Sequence, residues 1–237
     1  MIHTDLGQQR QYKLQNVVCL YGDGSQAFAT LHEVDHPFNG QGQPKLRPAQ
    51  ALTTAFLHGL QDQLGVRQSV EIFTEQVLAR TPEMVAWYVP AAHRAMFFKT
   101  GGTPLDAYSG KRFPHPGLVF KLANNILSVR AVATNVRPSA ATKLFAAPYY
   151  NIYANGSVCT GSMRTPDRST VDVLDAWVAG FFASAFSHVA GVVKVTTVKG
   201  GYPALVKLIA GSKFAFPVRT LVDVRQSLTE FLRDGDL

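Results

Sequence analysis

Residues 149–159 read YYNIYANGSVC, and the predicted fold and function of the chain depend mainly on this stretch. It ends in Cys159, shortly after the pair Asn155-Gly156, which favours a tight turn with positive φ. Such a turn brings the thiol of Cys159 back towards the side-chain amide of Asn151. A sulfur that can carry an acyl group, beside a neutral donor for an oxyanion, indicates acyl-transfer chemistry.

Length and composition predict a globular protein. A chain of 237 residues with 46% hydrophobic residues can bury a sizeable core in one large domain or two small ones. No apolar run reaches the length of a membrane span, and the N-terminus lacks a signal-peptide core. Two cysteines, Cys19 and Cys159, give no disulfide framework. We therefore expect reduced thiols in a cytoplasmic protein.

The chain is basic, with a net charge of +7. Such a charge is compatible with a nucleic-acid partner or an acidic protein partner. The basic residues are scattered, however, and neither a helix-turn-helix nor an RNA-binding signature occurs. We predict a solvated basic surface without nucleic-acid binding.

The N-terminal part predicts a hairpin followed by a helix. Residues 16–21 and 26–32 flank a glycine-rich turn. Cys19 lies within the first strand and is interpreted as a small core residue. Residues 36–48 are rich in proline and glycine and predict a loop, and a helix is expected from Pro48 to near Gly65. No metal-ligand spacing such as HExxH occurs, so we predict no metal and no cofactor.

From residue 84 the hydrophobic period changes to two. Residues 84–89, 95–99, 117–122 and 126–131 predict four short strands in two successive hairpins, an antiparallel meander. The connection between the hairpins contains FPHP, a stiff connector whose His115 is interpreted as a structural loop histidine.

The sequence from residue 135 onwards predicts further helices. After an irregular segment, 135–148, and the thiol loop, apolar residues at helical spacing indicate a helix that packs on the sheet and is closed by His188. A histidine at a helix C-terminus benefits from the dipole, which favours a structural role. Beyond it, residues 192–198 predict a strand and 202–210 a helix, whereas 221–232 are mixed.

The stretch 149–159 is similar to the active-site segment of ubiquitin-conjugating enzymes. Their pattern is His-Pro-Asn, a variable run, Asn-Gly, a short spacer and Ile/Val-Cys, and the matching positions here are Asn151, Asn155, Gly156, Val158 and Cys159. Tyr149 and Tyr150 replace His and Pro, and Thr160 stands where Leu is usual. With MVAWYVPAAHRAMFF, FPHPGLVF and AWVAGFFASAFSH, the region 84–188 resembles prokaryotic family D of that superfamily, known as PRTRC system protein B.

This resemblance implies an α+β, UBC-like fold, in which a four-stranded antiparallel meander is flanked by helices. It implies a single domain over 1–237, with a core at about 81–190, an N-terminal elaboration at about 1–80 and a C-terminal elaboration at about 191–237.

The resemblance also implies an activity and partners. Cys159 would accept the C-terminus of a ubiquitin-like protein as a thioester and pass it to an amine, with Asn151 as the oxyanion donor. Tyr149 would replace the support of the missing histidine through a phenol hydrogen bond. The implied partners are a ThiF-like activating enzyme, a small ubiquitin-like protein and other PRTRC proteins of a plasmid or mobile element.

Two alternatives stay open. The chain could be a catalytically inactive UBC-fold binding module of the same system. It could also be a cysteine hydrolase, in which His188 or His115 activates Cys159, provided that the base lies within hydrogen-bond reach.

Overall fold

The computed structural model describes residues 13–24, 26–37, 43–64, 71–191 and 194–233. The chain divides into two compact units, 1–70 and 71–237, which are described separately below. The interpretation of 1–237 as a single domain stays a prediction. No helix within the described ranges combines the length and the apolar character needed to cross a membrane.

The described residues of the first unit form a small antiparallel sheet followed by a helix. Strands β1 (Asn16–Gly22) and β2 (Ala27–Asp35) form the predicted hairpin. Two short strands, β3 (Lys45–Leu46) and β4 (Gln50–Ala51), also pair with β2. Helix α1 (Thr54–Gln63) follows.

Three predictions for the first unit are wrong in detail. The predicted loop 36–48 includes β3. The helix begins after Thr53, whose side chain accepts the amide of Phe56 at 3.2 Å, and not at Pro48, because the residues between them extend along β2. Cys19 is only partly buried, since β1 alternates between exposed and half-buried residues.

The second unit is α+β. Its strands are β5 (Val77–Arg80), β6 (Met84–Val89), β7 (Ala92–Ala95), β8 (Phe97–Phe98), β9 (Arg112–His115), β10 (Gly117–Ala123), β11 (Ile126–Val132), β12 (Lys143–Ala146), β13 (Ala185–Phe186) and β14 (Asp223–Ser227). Its α-helices are α2 (Leu174–Ala183), α3 (Gly201–Ile209) and α4 (Leu228–Arg233). Short 3-10 helices lie at Pro104–Tyr108, Val171–Val173 and Val218–Thr220.

Six of these strands form the main sheet, in the antiparallel order β14-β12-β11-β10-β6-β5. The predicted hairpin between β10 and β11 is confirmed, and its turn residues Asn124 and Asn125 both have positive φ, 49° and 62°. A meander is therefore present, but not with the predicted strands.

The predicted pairing of 84–89 with 95–99 is wrong. Strand β6 pairs with β10, and the chain between them forms β7, which pairs with β9, and β8, which pairs in parallel with β13. Met96 interrupts the predicted strand, because its side chain is buried and its backbone bonds to Lys111 and Gly110. The predicted connector FPHP is consequently strand β9.

Three further boundaries differ from the sequence prediction. The segment 135–148 contains β12. Helix α2 is confirmed but ends at Ala183, five residues before His188. The described part of the predicted strand 192–198, residues 194–198, forms no strand, whereas α3 is confirmed.

The two faces of the main sheet carry separate apolar clusters. On one face Trp87 stacks on Phe120 with 5.3 Å between ring centroids, and Phe120 meets Phe181 of α2 edge-on at 5.5 Å. On the other face a smaller cluster packs beneath α4, and its buried members are Tyr88, Val119, Val132, Leu144, Leu228 and Phe231. The sheet is therefore covered by apolar clusters on both faces, and it carries the thiol loop along β11.

Candidate active site at Cys159

The loop that carries the thiol contains the predicted tight turn. The amide of Gly156 donates to the carbonyl of Tyr153 at 2.9 Å, and Gly156 has a φ of 93°. The side-chain oxygen of Asn155 accepts from the amide and the hydroxyl of Ser157, at 3.0 and 2.7 Å. The sequence Asn-Gly-Ser thus stabilises the turn through local hydrogen bonds.

The loop is fixed to the main sheet along β11. Strand β12 pairs with Arg130 and Ala131 of β11. The residues of β11 before Arg130 pair with the thiol loop, through a bridge between Ser128 and Ser157. The amide of Val129 donates to the carbonyl of Gly156, and the amide of Val158 donates to the carbonyl of Leu127, both at 2.8 Å. The residue before Cys159 is therefore held by the sheet.

Cys159 and Asn151 lie side by side. The amide of Cys159 donates to the carbonyl of Asn151 at 2.8 Å, next to a β-bridge between Ile152 and Val158. Cys159 is partly exposed and lines a cleft of about 200 Å³. The other lining residues are Lys99, Asn151, Gly161, Ser162, Ala185, Ser187 and His188.

The carboxamide of Asn151 has a defined orientation. Its Oδ1 accepts from the amides of Ser187 at 3.1 Å and His188 at 3.4 Å, and its Nδ2 donates to the carbonyl of Ala185 at 2.8 Å. Backbone amides only donate and carbonyls only accept, so the assignment of oxygen and nitrogen follows directly. Nδ2 carries a second hydrogen, and no second acceptor contacts it among the described residues.

The backbone of Asn151 is also specialised. Its φ is 61°, a left-handed conformation that asparagine adopts more readily than most residues. Its amide donates to the carbonyl of His188 at 2.9 Å. Asn151 is buried, with 7% of its surface exposed, and is bonded to the 185–188 segment through both backbone and side chain.

His188 lies at the cleft and not at a helix end. It follows β13, so the predicted interaction with the dipole of α2 is wrong. Its side chain is exposed, lines the same cleft as Cys159, and places Nδ1 2.8 Å from the hydroxyl of Ser187.

Tyr149 and His115 do not line the cleft. They lie in the core, where the Tyr149 hydroxyl is 2.9 Å from His115 Nδ1, and His115 Nε2 is 3.3 Å from the carbonyl of Arg94. The ring of Tyr149 packs against Phe181 and Phe186 with centroid separations of 5.5 and 5.7 Å. Burial lowers the pKa of His115 to about 3 and raises the pKa of Tyr149 well above 10, so both groups are neutral near pH 7.

A family model described as prokaryotic E2 family D matches residues 54–224. The chain belongs to prokaryotic E2 family D. No match was found among curated proteins or among solved structures.

The family D match spans the complete cleft. It begins in α1 and ends in β14, so it includes Asn151, Cys159 and His188. E2 proteins are ubiquitin-conjugating, and family D membership supports a role of that general kind, with an activating enzyme and a ubiquitin-like protein as general partners.

Three polar residues that line this cleft, Lys99, Ser162 and Ser187, were not predicted from the sequence. Ser187 directly precedes His188, but the predicted helix concealed that both follow a strand. Lys99 reaches the cleft because β8 pairs in parallel with β13, and the Lys99 amide donates to the carbonyl of Phe186 at 3.3 Å. Ser162 accepts the amide of Ala185 at 3.1 Å. These contacts join distant segments and leave no local sequence signal.

Proposed function

We propose that this chain carries a ubiquitin-like protein as a thioester on Cys159 and transfers it to an amine. The observation that carries the proposal is the hydrogen bond between the Cys159 amide and the Asn151 carbonyl. It sets a partly exposed thiol beside a carboxamide whose orientation is fixed by backbone groups. The family D match supports the same reading.

The first step is an exchange of thioesters. The sulfur of Cys159 attacks the thioester carbonyl on the activating enzyme, the new S–C bond forms, and the thiol of the activating enzyme leaves. The thiolate is the nucleophile in such an exchange. Cysteine is a strong nucleophile and the incoming thioester is already activated, so this step needs no dedicated base.

The second step is attack by an amine. Attack at the thioester carbonyl builds negative charge on its oxygen, and the second Nδ2 hydrogen of Asn151 donates to that oxygen. His188, which lines the same cleft, accepts the proton of the attacking nitrogen. Collapse of the intermediate breaks the S–C bond, releases the thiolate of Cys159 and leaves an amide.

The buried pair Tyr149 and His115 supports the loop. Tyr149 precedes Asn151 by two residues and is anchored through its hydroxyl and its ring. In this proposal the phenol replaces the support that histidine provides in the related active-site pattern, and His115 acts from within the core.

The proposal also covers the fold of the core, the partner proteins and the location of their genes. The core at about 81–190 of a single domain over 1–237 would have a UBC-like arrangement. The resemblance of 84–188 to PRTRC system protein B supports a ThiF-like activating enzyme, a small ubiquitin-like protein and other PRTRC proteins as partners. These genes would lie together on a plasmid or another mobile element.

One observation favours a second function, a cysteine hydrolase. Cys159 and His188 line the same cleft, so water instead of an amine could take the acyl group. His115 does not serve this role, because both of its ring nitrogens have partners in the core.

A chase of the loaded chain separates the two functions. The chain is loaded with the ubiquitin-like protein, the activating enzyme is removed, and free lysine is added at increasing concentration. A transferase yields a lysine adduct whose share rises with lysine concentration. Release of the free ubiquitin-like protein at a rate independent of lysine would support the hydrolase instead.

A further inference from the structure

Ser187 connects the two groups that the proposed transfer uses. It follows β13 and is half-buried beside the cleft. Its hydroxyl oxygen lies 3.2 Å from Oδ1 of Asn151 and 2.8 Å from Nδ1 of His188. One hydroxyl therefore bridges a carboxamide and an imidazole.

The direction of the two hydrogen bonds in this bridge depends on whether Nδ1 of His188 carries a hydrogen. The hydroxyl has one hydrogen, and Oδ1 of Asn151 only accepts. If Nδ1 of His188 lacked a hydrogen, the hydroxyl would donate to it, and the contact between the two oxygens would contain no hydrogen. If Nδ1 carries the hydrogen, it donates to Ser187, the hydroxyl donates to Asn151, and both contacts are hydrogen bonds.

We propose that Ser187 is a positioning residue that places the proton of neutral His188 on Nδ1. Nε2 of the imidazole is then unprotonated and able to accept a proton in the cleft. The chemical use of this tautomer rests on the proposed function, whereas the tautomer itself does not.

The assignment matches the proton balance of the transfer step. As the attacking nitrogen forms its bond to the thioester carbon, its proton passes to Nε2 of His188, and the S–C bond to Cys159 then breaks. The imidazolium later returns the proton to solvent or to the thiolate. No other reactant is needed.

The bridge also remains intact after His188 accepts the proton. Nδ1–H still donates to Ser187, and the hydroxyl still donates to Asn151. Chains of hydrogen bonds polarise one another. Positive charge on the imidazole therefore strengthens the bridge and makes the Nδ2 hydrogen of Asn151 a better donor to the oxyanion.

The tautomer can be measured without any partner protein. Nitrogen-15 NMR of the full chain at alkaline pH, where imidazoles are neutral, distinguishes a protonated from a bare ring nitrogen. The His188 signals are those that disappear in His188→Gln. We expect hydrogen on Nδ1 in the wild type and on Nε2 in Ser187→Ala, with the wild-type pattern restored in Ser187→Thr.

A matched control tests whether any lost hydroxyl has this effect. Ser162→Ala removes another hydroxyl of the same cleft that accepts from Ala185 and not from His188. It should leave the His188 pattern unchanged. Hydrogen on Nε2 in the wild type, or the same pattern in Ser187→Ala as in the wild type, would overturn the proposal.

The catalytic consequence is measured on the loaded chain. We expect Ser187→Ala to leave thioester loading unchanged and to slow discharge to lysine about tenfold, part of the 10²–10⁴-fold that general acid–base catalysis typically supplies. Equal discharge rates would refute the role of Ser187 in transfer. Failure of Cys159 to load at all would refute the proposed function, and the NMR result would still decide the tautomer.

Discussion

Cys159 and Asn151, eight positions apart in the sequence, form one rung of a short antiparallel pair through a 2.8 Å hydrogen bond from amide to carbonyl. The neighbouring Val158 is bonded in turn to β11 of the main sheet. The relation between thiol and carboxamide is therefore set by backbone contacts. Side-chain substitutions at either residue leave the atoms of this backbone hydrogen bond in place.

The first prediction separates the two polar atoms of Asn151. Asn151→Asp keeps an oxygen for the amides of Ser187 and His188 but replaces Nδ2 by a second oxygen, which removes both the free donor hydrogen and the hydrogen bond to the carbonyl of Ala185. Aspartate also tolerates positive φ. We expect near-normal loading of Cys159 and discharge to lysine about 10²- to 10³-fold slower, the usual effect of losing one oxyanion donor. The measurement is a single-turnover discharge assay.

Asn151→Ala is the companion variant. It should slow discharge similarly and also lower the free energy of unfolding by more than the strain of about 1–2 kcal/mol at a φ of 61°, because the amides of Ser187 and His188 and the carbonyl of Ala185 also lose their partner. Wild-type discharge rates in Asn151→Asp would show that the carboxamide nitrogen has no part in transfer.

The second prediction concerns the buried contact between Tyr149 and His115. Tyr149→Phe removes the hydroxyl and leaves Nδ1 of His115 without a partner in the core. We expect the free energy of unfolding to fall by about 1–3 kcal/mol, measured by urea denaturation.

A double-mutant cycle with His115→Phe provides the control. The double variant has no unpaired polar atom from this contact, so its loss should be smaller than the sum of the single losses. Additive losses would mean that the two side chains do not stabilise each other.

The third prediction is a pH dependence of stability. The pKa of His115 is lowered from 6.5 to about 3, first by burial, while the unfolded chain binds a proton below pH 6.5. The unfolded state then binds more protons, so the free energy of unfolding falls as the pH decreases from 6.5 towards 3, by up to a few kcal/mol, and this contribution is complete above pH 6.5.

His115→Gln removes this titration and should flatten the curve. The comparison is made between pH 6.5 and 5, above the range where most carboxylates titrate. Parallel stability curves for the wild type and His115→Gln in that interval would rule out a buried, neutral imidazole.

The sequence predicted those parts of the fold whose signals are local. The β10–β11 hairpin is encoded by alternating residues around Asn124-Asn125, and the turn in the thiol loop by Asn155-Gly156. In both cases the residues that determine the geometry are adjacent in the chain, so reading them in order suffices.

Pairing between distant segments could not be predicted. The helical spacing of α2 continues through Ala185 and Phe186, but these residues leave the helix and pair in parallel with Phe97 and Phe98. This non-local pairing outweighs the local periodicity and carries His188 from a predicted helix end to the cleft. For the same reason the sequence predicted residues 95–99 as the hairpin partner of β6, which instead pairs with β10.

The fourth prediction tests the close packing of the turn. Gly156 has a φ of 93°, and a Cβ placed there would lie 3.0 Å from the guanidinium of Arg130. Arg130 is buried and donates to the carbonyl of Ala154 at 3.1 Å, so it has little room to shift. Gly156→Ala should lower stability by more than the backbone strain alone.

Gly102 offers a matched control. It has the same φ of 93°, but its added Cβ would meet nothing within 4 Å. Gly102→Ala should therefore cost only the strain of about 1–2 kcal/mol, and Gly156→Ala clearly more, in parallel thermal and urea denaturation. Equal losses would show that Arg130 does not crowd the turn.

The most direct test of the central claim is the intact mass of the chain after incubation with its cognate activating enzyme, ubiquitin-like protein and ATP, before and after reduction. We predict one added ubiquitin-like protein, removed by reductant in the wild type and in Cys19→Ser. The adduct should be absent in Cys159→Ala, and in Cys159→Ser either absent or resistant to reductant. An adduct that persists in Cys159→Ala, or that Cys19→Ser abolishes, would contradict the account. If neither the wild type nor any variant formed an adduct, the chain would be a binding module without transfer activity.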